Sequence, residues 1–435
     1  MANENEQLNG EVYMNRVSRR SALRTAAASL AGAFSLPSLS TAVQAASSPY
    51  RRPKVKITDI RTGEIMGKNR QVHVRVYTDQ GIVGQGEATD AVQGAIPLIQ
   101  YFRSFLIGQD PLNVEAAFDR MRRDPFWGTQ GGQYLAAMSG VEIALWDIAG
   151  KALGLPVYQL LGGKVRDRVR LYCDSGEREL IPGSELSKAR IQEIQEMGFT
   201  GAKIDIDDAD DPAKLDKVNW TANNFEIDHM LEKIRFTHDL YPKGFDLAVD
   251  MHARYDATTG KRVAKEVEPF NLLWLEEPCG PENIDAMRDI RESTKTPICC
   301  GENIYLRYGF RELLEKRAVD VIMPDVQKTG GILESRKIAD MAQTYFVPFA
   351  PHNVTSPIGT MATAHLCAAV PNFLALEWHW IDMLPKWKGF VKEGEIIQKG
   401  FIPIPERVGL GVEMDDEFVR KAQIPGTPWF EPVRD

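Results

Sequence analysis

From about Arg168 to about His379 the chain repeats one unit, a short apolar run followed by an amphipathic stretch with helical spacing, recurring roughly every 25 to 45 residues. The runs are Arg168–Ser175, Gly201–Asp207, Asp246–His252, Leu272–Pro278, Pro297–Asn303, Val319–Val326, Tyr345–His352 and Asn372–His379. Eight parallel strands alternating with helices are the number that closes a (β/α)8 barrel. The pattern therefore predicts an α/β protein with a TIM-like barrel over 166–382.

In such a barrel the loops at the C-terminal ends of the strands build the pocket, so the informative residues are those with which each run ends. The third run ends in Asp250, the fourth in Glu276 and Glu277, the fifth in Glu302, the sixth in Asp325, the seventh in His352, and the eighth carries Glu377. A single acid at a strand end is ordinarily a helix cap or a surface residue. Six consecutive strands that each bring an ionisable group to one rim point to a site instead.

Asp250, Glu276 and Glu302 follow one another at intervals of 26 residues, which puts them on adjacent strands. Carboxylates crowded at one point repel unless a cation neutralises them, and all-oxygen ligation selects a hard ion such as Mg2+, with waters or substrate oxygens completing an octahedron. Such an ion can hold a substrate carboxylate and stabilise the enediolate left when its alpha proton departs.

That chemistry needs a base. Of the seven histidines, His252, His352 and His379 fall at strand ends. His352 lies one βα unit after Asp325, so the carboxylate can orient its imidazole and raise its basicity. His252 lies two residues beyond Asp250 and either protonates a departing hydroxyl or caps the following helix. Lys203 and Asp205 share one face of the second strand, as an ion pair that fixes geometry or with Lys203 polarising the substrate.

Outside the barrel, Val55–Val76 and Ile82–Glu87 alternate apolar and polar residues around Asp79-Gln80-Gly81, as antiparallel strands do, and Val141–Leu161 has helical periodicity up to Gly162-Gly163. A small α+β domain is expected over 50–165. The segment 383–435 has Pro- and Gly-rich turns and no βα unit, and is expected to return to that domain. Residues 1–46 resemble a twin-arginine export leader: Arg19-Arg20 precede an Ala-rich run from Thr25 to Leu36, with Val43-Gln44-Ala45 as small residues for cleavage. A periplasmic protein is the expectation. After the leader no apolar run approaches the roughly 20 residues that span a bilayer. The net charge of -8 argues against general nucleic-acid affinity. The five cysteines form no CxxC pair and leave an odd one over, so they read as buried apolar residues and exclude a zinc ribbon.

The chain resembles the mandelate racemase branch of the enolase superfamily, through GIVGQGEA and ALWDIAGKALGLPVYQLLGG before the barrel, VDMH, WLEEP, GEN, PDVQKTGG and APHNVTSPIGTMATAHL within it, and GLGVE near the end. The resemblance implies an enolase-type modified barrel under an N-terminal capping domain. It implies Asp250, Glu276 and Glu302 as Mg2+ ligands, the Asp325–His352 pair as base, and Glu377 as a partner of the substrate carboxylate or enediolate. Racemases of this branch carry Lys-x-Lys on the second strand, where this chain has Lys203 and Asp205, and muconate-lactonizing relatives carry a lysine where it has Asp325. Asp250-Met251-His252 is similar to the motif of galactonate and mannonate dehydratases, in which the histidine is the general acid, and HNVTSPIGT is similar to gluconate dehydratases. The implied activity is Mg-dependent dehydration of a sugar acid, an aldonate or aldarate, to a 2-keto-3-deoxy acid. An epimerase using Lys203 and His352 on opposite faces of C2 is the alternative, and an exported sugar-acid binding protein without catalysis is the alternative of another class. The capping domain of this family chooses the substrate, so Lys68-Asn69-Arg70 and the loop from Trp127 to Gly132, together with Asp205, Arg254, Tyr255 and Glu377, are candidates for substrate contact. A homo-oligomer is the family tendency.

Overall fold

A computed structural model describes residues 52–89, 94–124, 131–175 and 180–432. The leader over 1–46 and Trp127 lie outside the described residues.

Strands β1 (Ile57–Met66), β2 (Arg70–Thr78) and β3 (Val83–Ala88) form an antiparallel meander in that order. On β2 the alternation decides the faces: Val72, Val74 and Val76 pack on helices Ala95–Leu106, Val114–Arg123 and Gly132–Leu153. On the other face His73 meets the ring of Phe390 and Arg75 pairs with Asp416, both from the C-terminal segment. Helix Gly132–Leu153 lies so close to β3 that a Cβ on Gly86 would stand 2.0 Å from the Gly140 carbonyl oxygen, which explains the glycine of the GQGEA stretch.

The expected helix Val141–Leu161 is corrected at both ends. It starts at Gly132 and stops at Leu153, where Gly154 turns left-handed (φ 71°), and Pro156 precedes a separate short helix, Val157–Leu160.

The barrel strands are β4 (Arg168–Asp174), β5 (Gly201–Asp205), β6 (Asp246–Asp250), β7 (Trp274–Glu276), β8 (Ile298–Cys300), β9 (Val321–Ile322) and β10 (Leu376–Trp378), parallel in the order β10-β4-β5-β6-β7-β8-β9. The seventh expected run forms no regular strand. Pro348 and Pro351 offer no N–H, and only Phe349 bridges in parallel to Ile322 on one side and Phe373 on the other, closing the ring. Tyr172, Trp274, Cys299, Val321, Ala350 and Ala375 fill the interior, so the barrel is a packed core with its loops free to carry a site.

After Met383 the chain serves both parts. Strand β11 (Phe401–Pro403) pairs antiparallel with β4, while Gly63 and Ile65 of β1 bridge to Trp429 and Gln423. The expected return to the N-terminal domain is thus half of what this segment does. All five cysteines are buried and free, and among the described residues no helix is long and apolar enough to cross a membrane.

Candidate active site

Parallel pairing aligns the strand ends: Asp205 lies beside Asp250, and Asp250 beside Glu276. Into this ring of acids Lys203 rises from β5, only 1% exposed. Its Nζ donates to Asp250 Oδ2 at 2.9 Å and Glu276 Oε1 at 3.0 Å, and pairs with Glu377 Oε1 at 2.8 Å. With Asp174 Oδ2 of β4 further off at 3.8 Å, its partners are the carboxylates of four other strands and not Asp205. Burial opposes the lysine's charge, but Glu276, Glu377 and Asp250 together hold its pKa well above the ordinary value. Burial also works against ionised Asp250, yet Lys203 and His252 bring it down to about 2, whereas burial and the neighbouring Asp250 push Glu276 well up. One ammonium cannot neutralise both acids.

Crowded carboxylate oxygens of this kind suit a hard divalent cation. Asp205, Asp250 and His252 present ligand atoms all within 4.8 Å of one another, the one such group among the described residues, and Asp205 Oδ1 is buried without a hydrogen-bond partner. Of the three expected ligands, Asp250 and Glu276 share Lys203. Glu302 turns to the loop after the seventh run, with Oε2 2.8 Å from His352 Nε2 and Oε1 accepting from Asn303 Nδ2 at 3.0 Å.

Two histidines face the acids from different sides. His352 sets Nδ1 against Asp325 Oδ2 at 2.6 Å and Nε2 toward Glu302 and, at 3.7 Å, Glu377 Oε2. Although burial opposes its charge, Glu302, Glu377 and Asp325 raise its pKa well above the usual imidazole range. Asp325 is fully buried and accepts the Gln327 N–H at 2.8 Å. Glu377 Oε2 accepts the Asn353 N–H at 3.0 Å, tying the β10 acid to the His352 loop.

His252 sits in left-handed backbone (φ 45°) with its N–H on Asp250 Oδ1 at 2.7 Å. Its Nδ1 lies 2.8 Å from Asp207 Oδ1 and its Nε2 3.7 Å from Asp250 Oδ2. Burial opposes the charge, and Asp250 and Asp207 outweigh it, pushing the imidazole up to about 11. Its side chain is held by acids and caps no helix: Asp256 caps the helix that follows, Ala257–Glu266.

Arg254, expected at the substrate, places Nε 2.7 Å from Asp207 Oδ2. Tyr255 is buried with its ring edge-on to Trp220. Lys68 reaches Asp382 at 3.1 Å, which lays the β1–β2 turn over the loop after β10, and Arg70 turns back to Glu64. Several polar residues here escaped the sequence reading. Asp174 at the end of β4 stands 3.2 Å from His379 Nε2, a contact that exists only once the ring closes. Asp207 ends the second run just as Asp325 ends the sixth, and the rule that joined Asp325 to His352 would have joined Asp207 to His252. Glu87 of β3 accepts N–H groups from Ser356 and Gly359 at the start of helix Pro357–Ala369.

The comparisons with known proteins bear on the family. Residues 49–162 match the model of the mandelate racemase / muconate lactonizing enzyme N-terminal domain, and residues 187–418 match the enolase C-terminal domain-like model. The D-xylonate dehydratase of Haloferax volcanii is 40% identical over 377 residues, covering 86% of this chain and 91% of that protein. The D-galactonate dehydratase of Pectobacterium atrosepticum is 32% identical over 393 residues, covering 87% of this chain and 97% of that protein. Among solved structures, a mandelate racemase/muconate lactonizing enzyme-like protein from Rubrobacter xylanophilus superposes with a TM-score of 0.82 at 42% identity, over 88% of this chain and all (100%) of that one. With one family matched across both of its domains and by full-length relatives, the chain belongs to the mandelate racemase/muconate lactonizing enzyme family of the enolase superfamily, in its acid-sugar dehydratase-like group.

Proposed function

We propose that this enzyme dehydrates a sugar acid by removing its C2 proton with His352 and expelling its C3 hydroxyl as water with a proton from His252. The observation that carries the reading is the convergence of two histidines, each backed by its own aspartate, on one buried cluster of acids. Asp325 fixes the His352 ring so that Nε2 points into the site to take the proton. The electron pair of the broken C2–H bond is first held as the enediolate of the substrate carboxylate and then forms the C2–C3 double bond as the C3–O bond breaks, with His252 Nε2–H supplying the proton that lets water leave. The enol released tautomerises to a 2-keto-3-deoxy acid.

Asp250, Glu276 and Glu302 are proposed to hold Mg2+, because three oxygen donors from adjacent strands suit a hard ion better than a set that includes His252. When bound, the ion offsets the charge that builds on the substrate carboxylate. Glu302 must then leave His352, which frees Nε2 for the substrate. A mixed acid and histidine set is the second reading, favoured by the close approach of Asp205, Asp250 and His252. Titration calorimetry separates the two. Glu302→Gln should weaken Mg2+ affinity and His252→Asn should not, and the reverse pattern would make His252 a ligand and remove it as the acid.

An epimerase needs a second base on the opposite face of C2. Lys203 serves poorly there, because its Nζ is engaged with Asp250, Glu276 and Glu377 and keeps no free lone pair. The substrate class is an aldonate or aldarate, and the relatives that act on D-xylonate and D-galactonate support the aldonates as the first to assay. Export is proposed from Arg19-Arg20 and the run that follows, and cell fractionation with N-terminal sequencing tests it. A homo-oligomer is proposed on family tendency alone, with light scattering as its test.

A further inference from the structure

Asp207 is only 2% exposed, and both its oxygens face cations of the segment that follows β6. Oδ1 holds His252 Nδ1 at 2.8 Å and Oδ2 lies 2.7 Å from Arg254 Nε. Arg254 in turn lies over the Trp220 ring, with 5.1 Å from its guanidinium carbon to the ring centroid, and Lys214 covers the same ring at 4.0 Å. Lys214 is tied to Glu226 at 3.1 Å, and Glu226 belongs to the capping box that starts helix Asn224–Leu240. The connection between β5 and that helix thus reaches back to His252 through stacked cations, one aromatic ring and one buried carboxylate.

The backbone at His252 supports the same reading. His252 and Ala253 are consecutive non-glycine residues in left-handed conformation (φ 45° and 56°), a backbone region that L side chains rarely adopt. Surrounding bonds hold them there: the His252 N–H on Asp250 Oδ1 and the Ala253 N–H on the Glu277 carbonyl at 2.9 Å. Such strain persists where the surroundings over-determine it. Its effect here is to lift the imidazole off the strand axis so that Nδ1 meets Asp207 and Nε2 faces the acids.

We propose that Asp207 is a positioning residue that fixes the His252 ring with Nε2 toward the reacting centre, and that Arg254 and Trp220 hold Asp207 in place as an arm serving C–O cleavage alone. This rests on the dehydratase reading above. The two half-steps have separate owners. Breaking C2–H and returning a proton to C2 needs only His352 and Asp325. Breaking C3–O, with the proton passing from His252 Nε2 to the leaving hydroxyl, needs the arm as well. Loosening the arm leaves the enediolate with one fast exit, reprotonation at C2 from solvent-exchanged His352.

The test uses full-length, Mg2+-loaded protein in D2O with D-xylonate and with D-galactonate, following 2-keto-3-deoxy product and deuterium at C2 of recovered substrate. Asp207→Asn is expected to lower product formation by roughly 10²-fold, within the span of a lost acid–base group, while deuterium wash-in persists. Trp220→Ala should shift the same ratio in the same direction by a smaller factor, and Trp220→Phe, which keeps a ring under Arg254, should restore it. If Asp207→Asn fails to fold, the Trp220 pair decides. Product and wash-in falling by the same factor, or neither changing in a folded variant, would overturn the arm. Wild-type protein that neither dehydrates nor exchanges either acid would instead overturn the dehydratase reading, and the arm with it.

Discussion

His352 keeps Nδ1 on Asp325 at 2.6 Å while its other nitrogen faces Glu302, so asparagine in its place removes the base without emptying the cluster of acids. His352→Asn is expected to lower turnover by roughly 10²- to 10⁴-fold. It should lower C2 exchange equally, and Mg2+ titration should still register binding. An exchange rate near wild type in that variant would assign the proton to another group. The pairing was legible because an acid ending one strand and a histidine ending the next are neighbours in a parallel barrel. The same register carried Asp207 and His252, where attention to Lys203 and Asp205 hid the acid two residues further on. Lys203 was legible as an inward residue but its partners were not, since a long side chain can reach the acid of any nearby strand, and here it pairs with Asp174, Asp250, Glu276 and Glu377 in preference to its own neighbour Asp205.

At the scale of elements, two carboxylates of the N-terminal domain sit at the starts of the helices that follow the Asp325 and His352 loops. Glu142 accepts the N–H groups of Ile332 and Leu333 at 2.8 and 2.9 Å, and Glu87 those of Ser356 and Gly359. Burial pushes both acids up to about 7 despite these bonds. A carboxyl whose folded pKa exceeds its unfolded value near 4.5 contributes stability that is complete below pH 4.5 and is lost as pH rises through 7. Glu87→Gln should therefore gain on wild type between pH 4.5 and pH 8 by on the order of 3 kcal/mol, read from urea melts at the two pH values. A gap that stays constant with pH would mean that Glu87 does not titrate in this window. The elements themselves were legible where periodicity is long, as in the meander and most βα units. The seventh run has the apolar residues of a strand, but Pro348 and Pro351 deny it the N–H groups of a regular ladder. Helix Gly132–Leu153 lacks a strong polar face because it is buried on nearly every side, which blurred its N-terminal boundary.

At the scale of the whole molecule, the N-terminal meander and the C-terminal segment are joined through one buried carboxylate. Asp147 of helix Gly132–Leu153 accepts N–H groups from Gln85 in β3 and from Leu410 in the C-terminal segment, both at 2.9 Å. The eightfold alternation made the barrel readable, whereas the double attachment of residues beyond Met383 was not, because β11 is too short to stand out from the turns around it. A cation bound by the native acid cluster and not by the unfolded chain stabilises the fold by mass action. Mg2+ at about 100 times its dissociation constant should add about 2.7 kcal/mol. A thermal midpoint unmoved by Mg2+ and by EDTA would count against a resident ion. The most direct measurement incubates Mg2+-loaded wild type and His352→Asn with D-xylonate and D-galactonate in D2O, following semicarbazide-reactive 2-keto acid and deuterium at C2. Product from wild type, with product and exchange both lowered by roughly 10²-fold or more in His352→Asn, is the expected result. Deuterium at C2 without product from wild type, or product at the wild-type rate from His352→Asn, would contradict dehydration by this base.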